Sequence, residues 1–435
     1  MRKIFLTAVI LGVMLTTCAV AAAAKKIPDL NEAEIHLVCA TCSMGAYSDD
    51  AGITLRSMLT ARGWKIETLS RKNKRADAKA YLVSKGNVKI LAVAGTESLK
   101  DVEVDFRAGR VHLHDNSVPL DPTERDVADK FFVHRGFRDY ADVILGDGVF
   151  EHLKTSLEKN PNETLYLTGH SLGGSVAIII GARLVDAGIP KDRVKVLTFG
   201  SMAVGSRAFA ESYEDKIDLT RIVLKGDVLK KSMGALGFAQ FGETLVYRNH
   251  NAKDDTLAHS MSVYLDCAIR EYYAAGGTLN YETADKNNAA IYAAPIFFVK
   301  NNFRKDDEKF ILTALNDDLE NHFGNLTFAE KPFVEIKEKN FFDADFDEYI
   351  AAAKNLGCKY VLIRILRAPK IRDAKTGDRR VTVEEIIFDM NGFPLSMQTS
   401  GATTEELTVL EAALSAQEIL NANAKIFLND RERNG

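Results

Sequence analysis

The chain has 435 residues, 46% of them hydrophobic, which is more than one ordinary domain needs and enough for two buried cores. With 56 basic and 60 acidic residues its net charge is −4, so it presents no general field for a polyanion, and nucleic acid is not an expected partner.

The first residues read as an export signal. Arg2 and Lys3 precede an apolar run from Ile4 to Leu15, and Ala21 to Ala24 offer a small-residue cleavage site before Lys25. The run is too short to favour a membrane span. Residues 1–24 are therefore expected to be removed and the mature chain exported, to the periplasm or out of the cell. Cys18 follows Leu15, Thr16 and Thr17, an order that resembles a lipobox except for the threonine before the cysteine, so lipid anchoring there is the minority alternative. Cys39 and Cys42 have CxxC spacing, but no second pair at ligand spacing accompanies them. A local disulfide or two buried thiols is expected rather than zinc or redox chemistry.

Apolar positions between Leu37 and Leu59 suggest a helix or two, broken near Gly63. Val88 to Ala94, VKILAVA, reads as a buried strand whose carboxyl end presents Thr96, in the position where open α/β sheets build their sites. Residues 102–130 look irregular, and a stretch that long is expected to act as a lid or binding surface. Within it His112 and His114 alternate as on a strand; with no third ligand at convincing spacing they read as a solvated edge rather than a metal site. FFVHRGF, Phe131 to Phe137, leads into a helical pattern through Tyr140, Ile144, Phe150, Leu153 and Leu157.

The most informative stretch is Thr164 to Gly188. A short apolar strand runs into Gly169, His170, Ser171, Leu172 and Gly173, a G-x-S-x-G, and from Leu172 the apolar spacing is helical. A serine on a sharp strand-to-helix turn projects its hydroxyl. The helix N-terminus beside it stabilises an oxyanion. VKVLTF (Val194 to Phe199) and Arg221 to Leu224 are further strands, the latter ending at Lys225, Gly226 and Asp227; alternation with helices predicts a mostly parallel sheet covered on both faces.

A serine hydroxyl needs a base, and the base a carboxylate, in the chain order Ser, acid, His for this architecture. That leaves His250, His259 or His322, the last in the second half. His259 opens an apolar helical stripe through Met261, Tyr264, Leu265 and Ala268, whereas His250 lies in a polar loop, so His259 is preferred. Asp227 is preferred as the acid over Asp254 and Asp255, because a strand positions it. The N–H of Leu172 and the residue ending the first strand, Thr96, are the expected oxyanion donors, with Ser98 and Asp101 bracing the Thr96 loop.

After the polar stretch Glu282 to Asn288 a second, smaller α/β unit is expected. Ile291 to Val299, Phe333 to Ile336 and Tyr360 to Leu366 read as strands, Glu308 to His322 and Tyr349 to Leu356 as helices, and about Glu405 to Leu420 as a final long helix. Asp343, Asp345 and Asp347 imitate a calcium loop but lack its glycine and closing glutamate, and read as an acidic helix start. No cofactor or metal motif is found in either half.

From about Tyr47 to Tyr273 the sequence resembles the class 3 (fungal-type) lipase family of α/β-hydrolases, through GTESLKD at Gly95, VHRGF at Val133, GHSLGGSVA at Gly169, TFGSMAVG at Thr198, and His259 followed by Tyr264. The resemblance implies Ser171 as nucleophile, Asp227 as acid, His259 as base, and Thr96 with Leu172 in the oxyanion hole. The expected organisation is thus a signal peptide (1–24), an α/β-hydrolase domain with a mostly parallel central sheet (25–285) and a smaller C-terminal α/β domain (290–435) of unassigned role. The expected activity is carboxylic ester hydrolysis through an acyl-enzyme, without a cofactor, on a lipid or other acyl-ester substrate that a membrane or lipid surface could supply. A triacylglycerol lipase is the first reading and a phospholipase A1 or short-chain esterase the second. An inactive envelope scaffold is the alternative of another class.

Overall fold

The computed structural model describes residues 30–46, 59–60, 62–72, 77–95, 109–114, 131–227, 233–248, 259–280, 286–299, 305–336, 344–368, 380–403 and 408–434. Residues 1–24 with Cys18, Thr96, Ser98, Asp101, residues 102–108 and 115–130, His250, Asp254, Asp255 and Asp343 lie outside the described residues.

Helix α1 (Leu30–Gly45) precedes three antiparallel strands, β1 (Lys65–Lys72), β2 (Asp77–Lys85) and β3 (Val88–Val93). After the two-residue strands β4 (Arg110–Val111) and β5 (Val133–His134) come helices α2 (Arg135–Leu145) and α3 (Val149–Lys159), then β6 (Thr164–His170), α4 (Leu172–Asp186), β7 (Val194–Phe199), β8 (Gly205–Ser206), α5 (Arg207–Tyr213), β9 (Asp218–Leu224), β10 (Phe238–Ala239), β11 (Glu243–Tyr247) and α6 (Met261–Ala274). Among the described residues the main sheet has seven strands in the order β1-β2-β3-β6-β7-β9-β11, parallel from β3 onward. The mostly parallel sheet expected from the alternation of strand and helix is therefore present, extended by an antiparallel meander. The short strands form a separate sheet, β10-β8-β5-β4, that two-residue pieces could not reveal by periodicity. The single helical pattern expected from Tyr140 to Leu157 is two helices, because Asp147 (φ 48°) and Gly148 (φ 84°) adopt left-handed backbone between them.

Helix α4 is buried over nearly its whole circumference, packed on the sheet with α2 beside it, which is why its sequence is apolar on every side. Its first turn sits against the strands so closely that a Cβ at Gly173 would lie 2.2 Å from the Val93 carbonyl oxygen. Only glycine permits that approach.

The second half forms its own sheet from β12 (Ile291–Ala293), β13 (Phe297–Val299), β14 (Leu326–Phe328), β15 (Tyr360–Arg367), β16 (Arg380–Phe388) and β17 (Pro394–Thr403), in the order β14-β12-β15-β16-β17 with β13 also on β15. Its helices are α7 (Lys305–His322), α8 (Asp347–Asn355) and α9 (Val409–Asn434). Three expectations need correction. Ile291 to Val299 is two strands, both on β15. Phe333 to Ile336 is not a strand: the Phe333 N–H donates to the Tyr349 hydroxyl (2.8 Å) instead of to a ladder. Strands β16 and β17 were not anticipated; β16 carries the fully buried Glu385, register partner of Arg364 on β15, and the two form a buried ion pair. The Asp345 carboxylate accepts from the Asp347 N–H, two residues on, at the start of α8.

One apolar cluster crosses from one sheet's territory to the other: Tyr264, Leu265, Ala268 and Ile269 of α6 share it with Ile311 and Leu315 of α7 and Leu410 and Leu414 of α9. No helix among the described residues is long and apolar enough to cross a membrane.

Candidate active site

Ser171 stands between the end of β6 and the first residue of α4, with φ 54° and ψ −121°, and its N–H donates to the Phe199 carbonyl (2.9 Å) at the end of β7. Among the described residues only Ser171 and Asp147 hold a positive φ without being glycine. Such backbone costs about 1–3 kcal/mol and persists only where its surroundings enforce it. The enforcement is visible one turn on, where the Ser175 hydroxyl bonds the carbonyls of both Ser171 (3.3 Å) and Met202 (3.2 Å) and takes the Met202 N–H (3.0 Å). The strained strand-to-helix turn puts the serine at the carboxyl edge of the parallel sheet and at the N-terminus of α4, the nucleophile-elbow arrangement of α/β-hydrolases.

Two strands over, the turn after β9 carries Asp227, buried and 1% exposed. Its Oδ2 accepts from His259 Nδ1 (2.8 Å) and from the Tyr264 hydroxyl (2.8 Å), while Tyr264 in turn accepts the Leu224 N–H (3.1 Å). A carboxylate only accepts, so Nδ1 carries the proton and Nε2 the lone pair. His259 Nε2 is buried with no hydrogen-bond partner among the described residues. The imidazole thereby keeps its proton-accepting nitrogen unengaged. No bond from Ser171 Oγ to it is formed, as is common before substrate binds.

His170, adjacent to the serine, fixes His259 from the other side. Its ring lies 4.6 Å from the His259 ring, and its Nε2–H donates to the His259 carbonyl (2.8 Å). Burial, reinforced by the neighbouring His259, holds the His170 imidazole well below its ordinary range, so it stays neutral. Just past the end of β7, the strand between β6 and β9, Gly200 (φ 59°) lies against this cluster. A Cβ there would meet the Tyr264 hydroxyl at 2.8 Å, Asp227 Oδ2 at 3.0 Å and His259 Cε1 at 3.1 Å.

Of the residues singled out in the sequence, Asp227 and His259 are thus in contact; Ser171 follows His170, whose ring packs on His259, and bonds the end of β7 at Phe199; Leu172 begins α4, with its N–H at the helix terminus. Thr96 lies just past the described end of β3, so its oxyanion role rests on the sequence alone. The sequence reading did not connect Tyr264, His170 and Gly200 to the acid and base; the only signal for Tyr264 was its place five residues after His259. His322 is in α7, on the second sheet's side. His114 pairs with Asp186 (2.7 Å), and the His112 carbonyl accepts from Arg138 (3.2 Å). Cys39, Cys42, Cys267 and Cys358 are buried thiols, none of them in a disulfide, so the disulfide alternative is not realised. Burial pushes the Cys39 thiol up to about 12, which makes it unreactive.

Residues 90–236 match the family model of class 3 lipases, a span that holds Thr96, Ser171, Leu172 and Asp227 and stops short of His259. Over 83 residues the chain is 35% identical to Lipase ZK262.3 of Caenorhabditis elegans, covering 19% of this chain and 24% of that protein. Over 84 residues it is 33% identical to Toxin TseL of Vibrio cholerae serotype O1, covering 19% and 12%. The matched segment therefore spans less than a quarter of either curated relative. Among solved structures, Rhizomucor miehei triacylglyceride lipase aligns over 51% of this chain and 82% of its own at 21% identity and a TM-score of 0.40, and lipase II of Rhizopus niveus over 50% and 82% at 20% identity and 0.40.

Proposed function

We propose, from the match of residues 90–236 to the class 3 lipase family model, that this protein is a serine carboxylic ester hydrolase with Ser171 as nucleophile, His259 as base and Asp227 as acid. The observation that carries the reading is the buried, unengaged Nε2 of a histidine whose other nitrogen is held by a fully buried carboxylate, beside a serine in strained elbow geometry. His259 Nε2 takes the Ser171 proton as Oγ attacks the ester carbonyl carbon. Asp227 stabilises the imidazolium that forms. The tetrahedral oxygen takes the N–H of Leu172 and that of Thr96, each donor contributing on the order of 3 kcal/mol at the transition state. Collapse expels the alcohol, which leaves with the proton from His259, and the same base then activates a water to cleave the acyl-enzyme.

The proposed substrate is a lipid ester, with triacylglycerol as first choice and a phospholipid sn-1 ester or a short-chain ester as the competing outcomes of the test. The chain is proposed to act after export, on the strength of the segment Met1 to Ala24. Purified full-length protein and its Ser171→Ala variant, treated with a fluorophosphonate probe and assayed on p-nitrophenyl esters of increasing chain length, test the chemistry. Labelling and hydrolysis are expected in the first and absent from the second. Ester hydrolysis undiminished in Ser171→Ala would falsify the mechanism. A jump in rate above the substrate's solubility limit identifies a lipase, and its absence an esterase. Mass spectrometry of the mature N-terminus separates cleavage near Ala24 from acylation at Cys18.

A further inference from the structure

We propose that Asp318, His322 and Glu418 form a binding site for a divalent transition-metal ion of the zinc class, remote from Ser171 and independent of its chemistry. Asp318 and His322 are four residues apart on α7, so they share one helix face, and Glu418 reaches them from α9. His322 Nε2 lies 3.0 Å from Glu418 Oε2 and 3.9 Å from Asp318 Oδ1, and one ligand atom from each of the three residues falls within 4.8 Å of the others. Ligand atoms bound at about 2.0–2.2 Å around a tetrahedral ion stand roughly 3.4 Å apart, so small rotations of two carboxylates complete the shell. One imidazole with two carboxylates selects zinc and its neighbours over calcium or magnesium, which take oxygen ligands throughout.

Two features separate this cluster from an ordinary ion pair. Asp318 Oδ2 is engaged by Gln417 Nε2 (2.7 Å) and Asn421 Nδ2 (2.8 Å), which orients the carboxylate with Oδ1 toward His322, as outer-shell partners orient a metal ligand. Those two amides are themselves fully buried, and Gln417 Oε1 and Asn421 Oδ1 have no hydrogen-bond partner among the described residues. Each orphaned oxygen is the other end of an amide that touches Asp318, and a buried acceptor without a donor is costly. A His–Glu ion pair leaves both unexplained. A cation with three protein ligands keeps positions for water, and metal-bound water is a strong donor of the kind those two oxygens lack.

Such an ion ties α7 to α9, the two helices that pack with α6 in one core. The test uses the full chain stripped with EDTA, titrated with zinc by calorimetry and with cobalt(II) by visible absorption. One equivalent of zinc is expected, with a higher melting temperature in its presence. His322→Ala and Glu418→Gln are each expected to weaken binding by at least about tenfold and to abolish the thermal shift. Glu418 is at the rim, with its side chain 38% exposed, so its variant decides the matter if His322→Ala does not fold. No stoichiometric uptake by the folded wild type, or uptake unchanged in Glu418→Gln, overturns the proposal.

Discussion

Replacing Tyr264 by Phe removes one oxygen from the interior and keeps the ring that packs 5.9 Å from Phe199 and 5.7 Å from His170. The lost hydroxyl donates to the carboxylate that holds His259 and accepts the Leu224 N–H. A hydrogen bond to a charged acceptor contributes about 1.5–3 kcal/mol, so if all of it is expressed at the transition state kcat/KM falls by about 10- to 150-fold. The orphaned Leu224 N–H lowers stability by a further ~1–3 kcal/mol. The split between kcat and KM distinguishes a positioning role from general loosening: in a variant that keeps the wild-type circular dichroism, kcat falls while KM stays close to wild type. The phenol itself stays protonated throughout, since burial and then Asp227 hold it well above its ordinary range. Measured on p-nitrophenyl butyrate, a folded variant with kcat/KM within twofold of wild type refutes the role assigned to this hydroxyl.

Gly200→Ala forces a Cβ to within 2.8–3.1 Å of Tyr264, Asp227 and His259 at a left-handed φ of 59°; a loss of kcat/KM larger than that of Tyr264→Phe is expected, with a stability cost on the order of 2–4 kcal/mol, and wild-type turnover contradicts the geometry. His134, buried and neutral, is lowered from 6.5 to about 4 chiefly by burial. Its folded-state value is depressed, so the stability it contributes is present above pH 6.5 and is lost as pH falls toward 4, amounting to about 3 kcal/mol below that. The buried Glu411 carboxyl, held well above its ordinary range by burial, opposes this trend, so denaturation of wild type must be compared with His134→Asn, in which the loss between pH 6.5 and 4 shrinks. Glu385→Gln leaves the Arg364 charge unpaired between β15 and β16 and is expected to destabilise by about 3–5 kcal/mol, whereas the double change Arg364→Met with Glu385→Leu recovers most of it; equal losses in both proteins, read by urea denaturation, refute the pairing.

Ser171 was legible because its determinants are local: a strand before, a helix after, and glycines that let the two approach. Asp227 and His259 followed from chain order and from the strand and helix that flank them. What the sequence hid was the set of residues joining them. Tyr264 presents itself as one more member of an apolar stripe, and nothing local says that its hydroxyl spans 37 residues to reach Asp227. His170 occupies a variable position inside the serine motif, and Gly200 merely ends an apolar strand. In the second half, Glu384 and Glu385 interrupt the alternation of β16, so the strand is unreadable until Arg364 opposite is known. Charge pairing across a ladder is a tertiary fact, and so are strands of two residues such as β5 and β8.

The same limit applies to the division of the chain. Sheet topology separates a unit ending before about residue 286 from one beginning there, but packing does not follow that line. Helix α6 starts two residues after His259, and its far end is bolted to α7: Arg270, held by Asp266 of its own helix (2.5 Å), bonds Asp307 (3.0 Å) and lies 4.2 Å over the Phe310 ring, and the Tyr273 hydroxyl bonds Asp317. Its apolar side is shared with Ile311, Leu315, Leu410 and Leu414. A helix of 14 residues is a rod about 21 Å long, so whatever fixes its last turns also fixes the direction in which its first residue leaves His259. A cut between the sheets therefore passes through a core, strips the cover from α6 and releases one of the supports of His259. Through that helix the second half bears on the placement of His259.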